Sequence, residues 1–170
     1  RHISELRLVL TYAPQGRLKR VIGRRTLNID IVDYPGEWLL DLALLDESYS
    51  QWSARALAAV RSRTALPATQ AFLDFLRQPP DATLGDEQKA IQGAALFTKH
   101  LLAVREREAG IATLGPGRFL LPGELEGSPL LTFFPLEVGS ERDGDTRFRA
   151  MMERRYESYR THVVKPFFKK

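Results

Sequence analysis

The run Leu27-Asn28-Ile29-Asp30-Ile31-Val32-Asp33-Tyr34-Pro35-Gly36-Glu37-Trp38 constrains the fold most, because its hydrophobic period changes across one tight turn. Leu27, Ile29 and Ile31 alternate with Asn28, Asp30 and Val32, which is the period of a strand with one apolar face. Pro35-Gly36 punctuates the strand. The stretch that follows, Trp38-Leu39-Leu40-Asp41-Leu42-Ala43-Leu44-Leu45, is a dense apolar run of helical character. A strand that feeds a helix through a Pro-Gly turn predicts an α/β arrangement. It puts Asp33 at the carboxyl end of the strand, where open α/β sheets bind their ligands.

The four residues Asp33-Tyr34-Pro35-Gly36 fit a D-x-x-G pattern with a physical rationale. Mg²⁺ keeps most of its waters and takes few protein ligands, so a single strand-end carboxylate such as Asp33 can hold it through water. A glycine three residues on allows its backbone N–H to approach a γ-phosphate, with Pro35 shaping the turn beside it. The structural alternative is a strand-end Asp capping an ordinary turn.

A second alternating run covers residues 4–12, with Leu6, Leu8, Leu10 and Tyr12 on one face and Glu5, Arg7, Val9 and Thr11 on the other. The two runs predict an antiparallel pair of half-buried strands. In that pair Asn28 and Asp30 share a face with the Glu5/Arg7 row. Ala13-Pro14-Gln15-Gly16 and Gly23 punctuate the connection, which carries Arg17, Lys19, Arg20, Arg24 and Arg25. Helical periods then dominate. Residues 50–63 place Trp52, Ala56, Ala59 and Val60 at helix spacing, and Pro67 opens a helix that reaches Leu76 and is ended by Pro79-Pro80. Residues 86–109 predict a helix with an Ile91, Ala95, Thr98, Leu102 stripe, closed by Gly110. Residues 114–129 form a Gly/Pro-rich loop carrying Arg118, Glu124 and Glu126. Residues 140–145 read as an exposed loop. Residues 146–165 predict a long helix carrying Phe148, Met151, Met152, Tyr156, Tyr159 and Val163, stopped by Pro166.

Three stretches carry a family resemblance. They are Ile29-Asp30-Ile31-Val32-Asp33-Tyr34-Pro35-Gly36-Glu37-Trp38-Leu39-Leu40-Asp41-Leu42, then Gly117-Arg118-Phe119-Leu120-Leu121-Pro122-Gly123-Glu124-Leu125-Glu126-Gly127-Ser128-Pro129, and His162-Val163-Val164-Lys165-Pro166-Phe167-Phe168. Together they resemble the YcjX-like family of bacterial P-loop nucleoside triphosphatases. The resemblance implies an α/β protein with a Ras-like GTPase core and a helical insertion, cytoplasmic or peripheral at the inner membrane, and linked to stress response. In those terms residues 1–37 belong to the nucleotide-binding core and 38–145 to the insertion, while 146–170 lead back to the core. The implied ligands are Mg²⁺ and GTP/GDP, with ATP as the other candidate nucleotide. Asp33 is the implied Mg²⁺ residue, and Gly36 and Pro35 lie on the γ-phosphate side. Glu37 fills the place where Ras-like proteins carry a water-orienting Gln, but a carboxylate there adds like-charge repulsion toward a triphosphate. Its alternative is a surface residue at a helix start, favoured by the helix dipole. Arg118 is weighed as an arginine that reaches a phosphate in cis, against pairing with Glu124 or Glu126.

No G-x-x-x-x-G-K-[ST] phosphate loop occurs in the sequence, and Thr98-Lys99-His100-Leu101 lacks the Asp of a guanine-reading motif. The chain starts at Arg1 and stops at Lys170 within a family-like stretch, which predicts an internal piece of a longer protein, inactive by itself. Zero cysteines exclude disulfides and thiol catalysis, and His2, His100 and His162 lack metal-ligand spacing, so they read as surface or packing residues. No apolar run reaches membrane-spanning length. The net charge of +4 is modest, and no aromatic is interleaved with the basic connection, which argues against a nucleic-acid surface. The competing function is a non-catalytic interaction module, with helices docked on a protein partner and the basic hairpin on an anionic or membrane surface.

Overall fold

The computed structural model describes residues 4–12, 25–33, 35–78, 85–107, 115–137 and 143–168. It forms two compact units, Arg1–Gly36 and Glu37–Lys170. His2, residues 13–24 of the basic connection, Tyr34, Pro79-Pro80 and Gly110 lie outside the described residues.

The first unit is an antiparallel ribbon of β1 (Ser4–Tyr12) and β2 (Arg25–Asp33). Its register pairs Leu6 with Ile31, Leu8 with Ile29 and Leu10 with Leu27, so the middle of one face is apolar, with the Ser4/Asp33 and Tyr12/Arg25 pairs at its two ends. The opposite face pairs Arg7 with Asp30. Arg7 Nε donates to Asp30 Oδ1 at 2.5 Å and Nη2 to Oδ2 at 3.0 Å. That bidentate bond, foremost, lowers the Asp30 carboxyl below its usual range. The expectation of half-buried strands is corrected here, since every residue of both strands is exposed. Alternation creates an apolar face, but only a covering layer can bury it, and among the described residues Leu6, Leu8, Leu10, Leu27, Ile29 and Ile31 all stay uncovered.

The second unit is helical. It begins in α1 (Gly36–Leu39), whose first residue belongs to the ribbon unit, and a 3-10 turn, Leu40–Leu45. Next comes α2 (Tyr49–Arg61), which starts on a capping box: Gln51 N–H donates to Ser48 Oγ, and Ser48 N–H to Gln51 Oε1. The helix α3 (Pro67–Arg77) takes Pro67 in its first turn, where a missing N–H costs nothing. The longest helix, α4 (Asp86–Arg107), has acidic residues in its first turn and arginines in its last, matching the helix dipole. After it come the one-turn α5 (Gly117–Leu120), then α6 (Asp143–Tyr159), a π-helical turn Arg160–Val164, and α7 (Lys165–Phe168).

Aromatic rings hold this unit together. Trp52 is fully buried and stacks on Tyr156, with centroids 5.2 Å apart, and meets Phe97 and Phe133 edge-on. Phe72 and Phe119 extend the cluster from Phe97. Tyr49 O–H donates to the Phe134 carbonyl and Tyr156 O–H to the Glu47 carbonyl, so the polar ends of these buried rings are satisfied. His100 is buried and shares a 2.8 Å hydrogen bond with Thr69 Oγ1, while the exposed His162 bonds the Ser158 carbonyl through Nδ1. Both are packing or surface residues, as the sequence predicts.

Two helical readings need correction. The buried face of α4 is Ala90, Gly93, Ala94, Phe97, His100, Leu101 and Val104, while Ile91 is 45% exposed. A side chain at Gly93 would overlap the Phe134 ring, so small residues mark the contact where an aromatic sits flush against the helix backbone. A search for large apolar residues therefore selects the neighbouring stripe. Pro166 also fails to end the last helix and lies inside α7. The turn before it is already a π turn, in which Lys165 N–H donates to the Arg160 carbonyl five residues back. The regular i→i−4 ladder is interrupted just where proline would have broken it.

Candidate functional site

Asp33 is the last residue of β2, opposite Ser4, and is exposed. Pro35 is buried and Gly36 exposed. A Cβ added to Gly36 would have no atom within 4 Å, so its backbone is open to a close-approaching ligand. Among the described residues no cluster of three or more His, Asp or Glu side chains is gathered to hold a metal ion. The donor chemistry that remains is a single accessible carboxylate. It fits a cation that keeps its waters and binds through one or two carboxylates plus phosphate, as Mg²⁺ does.

From Glu37 onward the chain is pinned within the helical unit. The Glu37 carboxylate lies 3.6 Å from the Arg105 guanidinium near the end of α4. Trp38 is buried and its indole N–H donates to the Leu121 carbonyl at 3.0 Å. The Arg118 guanidinium lies 3.4 Å over the Trp38 ring, and Phe167 meets the same ring edge-on at 5.3 Å. The Arg118 side chain is only 5% exposed and pairs with Glu124 at 3.5 Å, the partner weighed for it from the sequence.

Beneath this stack lies Asp41, a buried carboxylate in the 3-10 turn. Its Oδ1 accepts the Gly117 N–H at 2.7 Å and its Oδ2 accepts the Tyr159 O–H at 2.6 Å. Burial raises its carboxyl to about 6, against the opposing effects of these two hydrogen bonds and the Arg118 charge. Burial, followed by the Asp41 charge, drives the Tyr159 hydroxyl well above its ordinary value, so Tyr159 stays a donor. Gly117 cannot be replaced without cost, because a Cβ would overlap the Glu37 carbonyl oxygen. Gly123 turns with φ +57 beside the Arg118–Trp38 stack, a conformation that favours glycine.

The three stretches that carry the resemblance thus meet at one place in the helical unit. Glu37, Trp38 and Asp41 come from the first, Gly117, Arg118 and Leu121 from the second, and Phe167 from the third. The sequence matches the model of the YcjX-like family, DUF463, over residues 1–170. The chain belongs to that family. Two proteins named Ras-like GTPase YcjX, from Shewanella oneidensis and Escherichia coli, are 38% and 34% identical to it over 178 and 177 residues. Each alignment covers 99% of this chain but only 36% and 37% of the relative, so the chain spans little more than a third of their length.

In this YcjX-like chain, sequence reasoning found Asp33, Pro35, Gly36, Glu37 and Arg118 as candidates but missed Asp41 and Tyr159. A signal for Asp41 was present: it is the one charged residue in the apolar run 38–45. A lone carboxylate in such a run has to be satisfied by partners when the run is buried. Tyr159 gave no such signal, because a Tyr on a helical stripe reads as core.

Proposed function

We propose that this chain is part of a GTP-hydrolysing Ras-like protein. In this reading Asp33 takes a Mg²⁺ ion through water, and the Gly36 backbone N–H meets the γ-phosphate, with Pro35 holding the turn. The observation that carries it is the pairing of a strand-terminal carboxylate with a glycine three residues on whose backbone is open. The names of the two relatives support the same reaction class. Mg²⁺ would neutralise charge on the phosphates. Asp33 orients its water shell, and Gly36 offers a donor that registers whether the terminal phosphate is there. Glu37, close to Arg105, has its carboxylate drawn toward α4, which lessens its repulsion of a phosphate but ties it away from a freely turning water.

The ribbon supports this reading. An apolar sheet face built from Leu6, Leu8, Leu10, Leu27, Ile29 and Ile31 suits two strands of a larger sheet, covered on that face by further elements of a nucleotide-binding core. The phosphate loop and the guanine-reading motif, neither present in this sequence, then come from other parts of the intact protein. A stress-associated role and a location in the cytoplasm or at the inner membrane surface belong to the same proposal. No helix among the described residues is long and apolar enough to cross a membrane.

The test is Asp33→Ala in the intact protein. Mg²⁺-dependent GTP hydrolysis should fall by about 100-fold or more, the scale for losing a group that places a charge-stabilising ion. ATP measured in parallel fixes the nucleotide. The 170-residue chain alone, titrated calorimetrically with GTP and Mg²⁺, should show no micromolar binding, since the loop that cradles the β- and γ-phosphates lies elsewhere. Near-normal turnover in Asp33→Ala would remove Asp33 from the site.

A further inference from the structure

Residues 37–45 follow Gly36 directly, so they are the first piece of chain that a phosphate contact at that glycine would displace. In nucleotide switches such a segment commonly orders or rearranges with the γ-phosphate, and from the sequence alone Trp38 is expected to change surroundings in that way. The geometry points elsewhere. The segment is tied at both ends of its first two turns. Near its start, Trp38 is hydrogen-bonded to Leu121 and packs against both Arg118 and Phe167. Three residues later, Asp41 takes one donor from the backbone of α5 and one from the end of α6. Just before the first tie the backbones of Glu37 and Gly117 pass so closely that no side chain fits at Gly117.

We propose that Asp41, Gly117 and Tyr159 are positioning residues that form a latch, fixing residues 37–45 to the helices so that segment and helices move as one body. A rearrangement of residues 37–45 alone would strand the buried Asp41 carboxylate and the Trp38 indole N–H without their partners and strip the Trp38 ring from the buried Arg118 guanidinium. Buried polar groups left without partners make such a rearrangement costly. The outer face of the segment makes no comparable demand, for Leu39 and Leu42 are both exposed. The nucleotide-dependent part of this inference rests on the GTPase reading; the latch itself does not.

Hydrogen exchange read by mass spectrometry on the intact protein tests it, in the GDP-bound form and with a non-hydrolysable GTP analogue. In the wild type, protection across residues 37–45 and 117–121 should be the same in both forms. Asp41→Ala should raise exchange in both segments together by about 10- to 100-fold, the scale for losing hydrogen bonds to a charged group. It should lower kcat for GTP with little change in KM. Asp41→Asn keeps an acceptor oxygen and should restore most of the protection and most of kcat. Should Asp41→Ala fail to fold, Tyr159→Phe removes one of the two donors and should give the same paired response, smaller in size. Exchange across 37–45 that changes with nucleotide while 117–121 stays fixed would overturn the latch and leave the GTPase reading standing. So would a variant that loosens one segment without the other. An intact protein that neither binds nor hydrolyses GTP would instead overturn the GTPase reading, and the paired response to Asp41→Ala would still decide the latch.

Discussion

The ribbon and the helical unit end in opposite states. In the ribbon the alternation is regular, the register pairs apolar with apolar and Arg7 with Asp30, and nothing is buried. In the helical unit the patterns are less regular, but Trp52, Phe72, Phe97, Phe133, Phe134, Tyr156 and Tyr159 are all fully buried. The difference shows that a correct local pattern and a satisfied one are separate properties. A strand pair has two faces and two edges to cover and cannot cover them itself. Helices joined by short turns fold back and bury one another.

The contrast would break most visibly if a ribbon residue proved as costly to remove as a core residue. In the 170-residue chain, Trp52→Ala should destabilise the helical unit by about 3–5 kcal/mol, as expected for a fully buried aromatic. Leu8→Ala should change stability by no more than about 0.5 kcal/mol, as at an exposed position. Urea unfolding followed by far-ultraviolet circular dichroism measures both. A large loss in Leu8→Ala would mean that the ribbon face is covered in solution.

A middle-sized effect concerns acidity. The Asp41 carboxyl titrates near 6 in the folded chain and at an ordinary 3.8 when unfolded. Between those values the folded chain holds a proton that the unfolded chain has released. This group's contribution therefore rises as pH falls from about 7 to 4, and is lost again as pH rises through 6. The Tyr159 hydroxyl that faces it is held well above its ordinary value and keeps its proton throughout that range. The gain amounts to at most about 3 kcal/mol for a shift of this size. Comparing unfolding midpoints of wild type and Asp41→Asn at pH 4, 5.5 and 7 should show the wild type gaining on the variant toward acid. Parallel pH curves would show that Asp41 titrates as it does in water.

The smallest effect sharpens the contrast from the exposed side. The Arg7–Asp30 pair holds the Asp30 carboxyl low, so its stabilising contribution is present above the ordinary carboxylate range and disappears as pH falls below it. Both side chains are well exposed, and an exposed pair contributes little to stability. Arg7→Ala should therefore return the Asp30 carboxyl toward its ordinary value in an NMR titration, with no measurable shift of the unfolding midpoint. A clear destabilisation would show that the pair is shielded from water.

Much of this molecule could be read from the chain itself. The alternation in 4–12 and 27–33 determined both strands, their antiparallel pairing and the shared face of Arg7 and Asp30, because a period of two leaves little choice of register once one face is apolar. Pro67 marked the start of α3, because proline fits the first helical turn, where a missing N–H costs nothing. Tertiary structure decided the rest. It chose the Ala90-Gly93-Ala94 face of α4 over the Ile91 stripe because an aromatic ring needed room against the backbone. It carried the last helix through Pro166 by way of a π turn. It also brought Asp41, Gly117 and Tyr159, 76 and 118 residues apart from Asp41, to one buried carboxylate. No local pattern encodes that meeting, because a hydrogen bond between distant residues is specified by packing around both of them and not by the spacing of either.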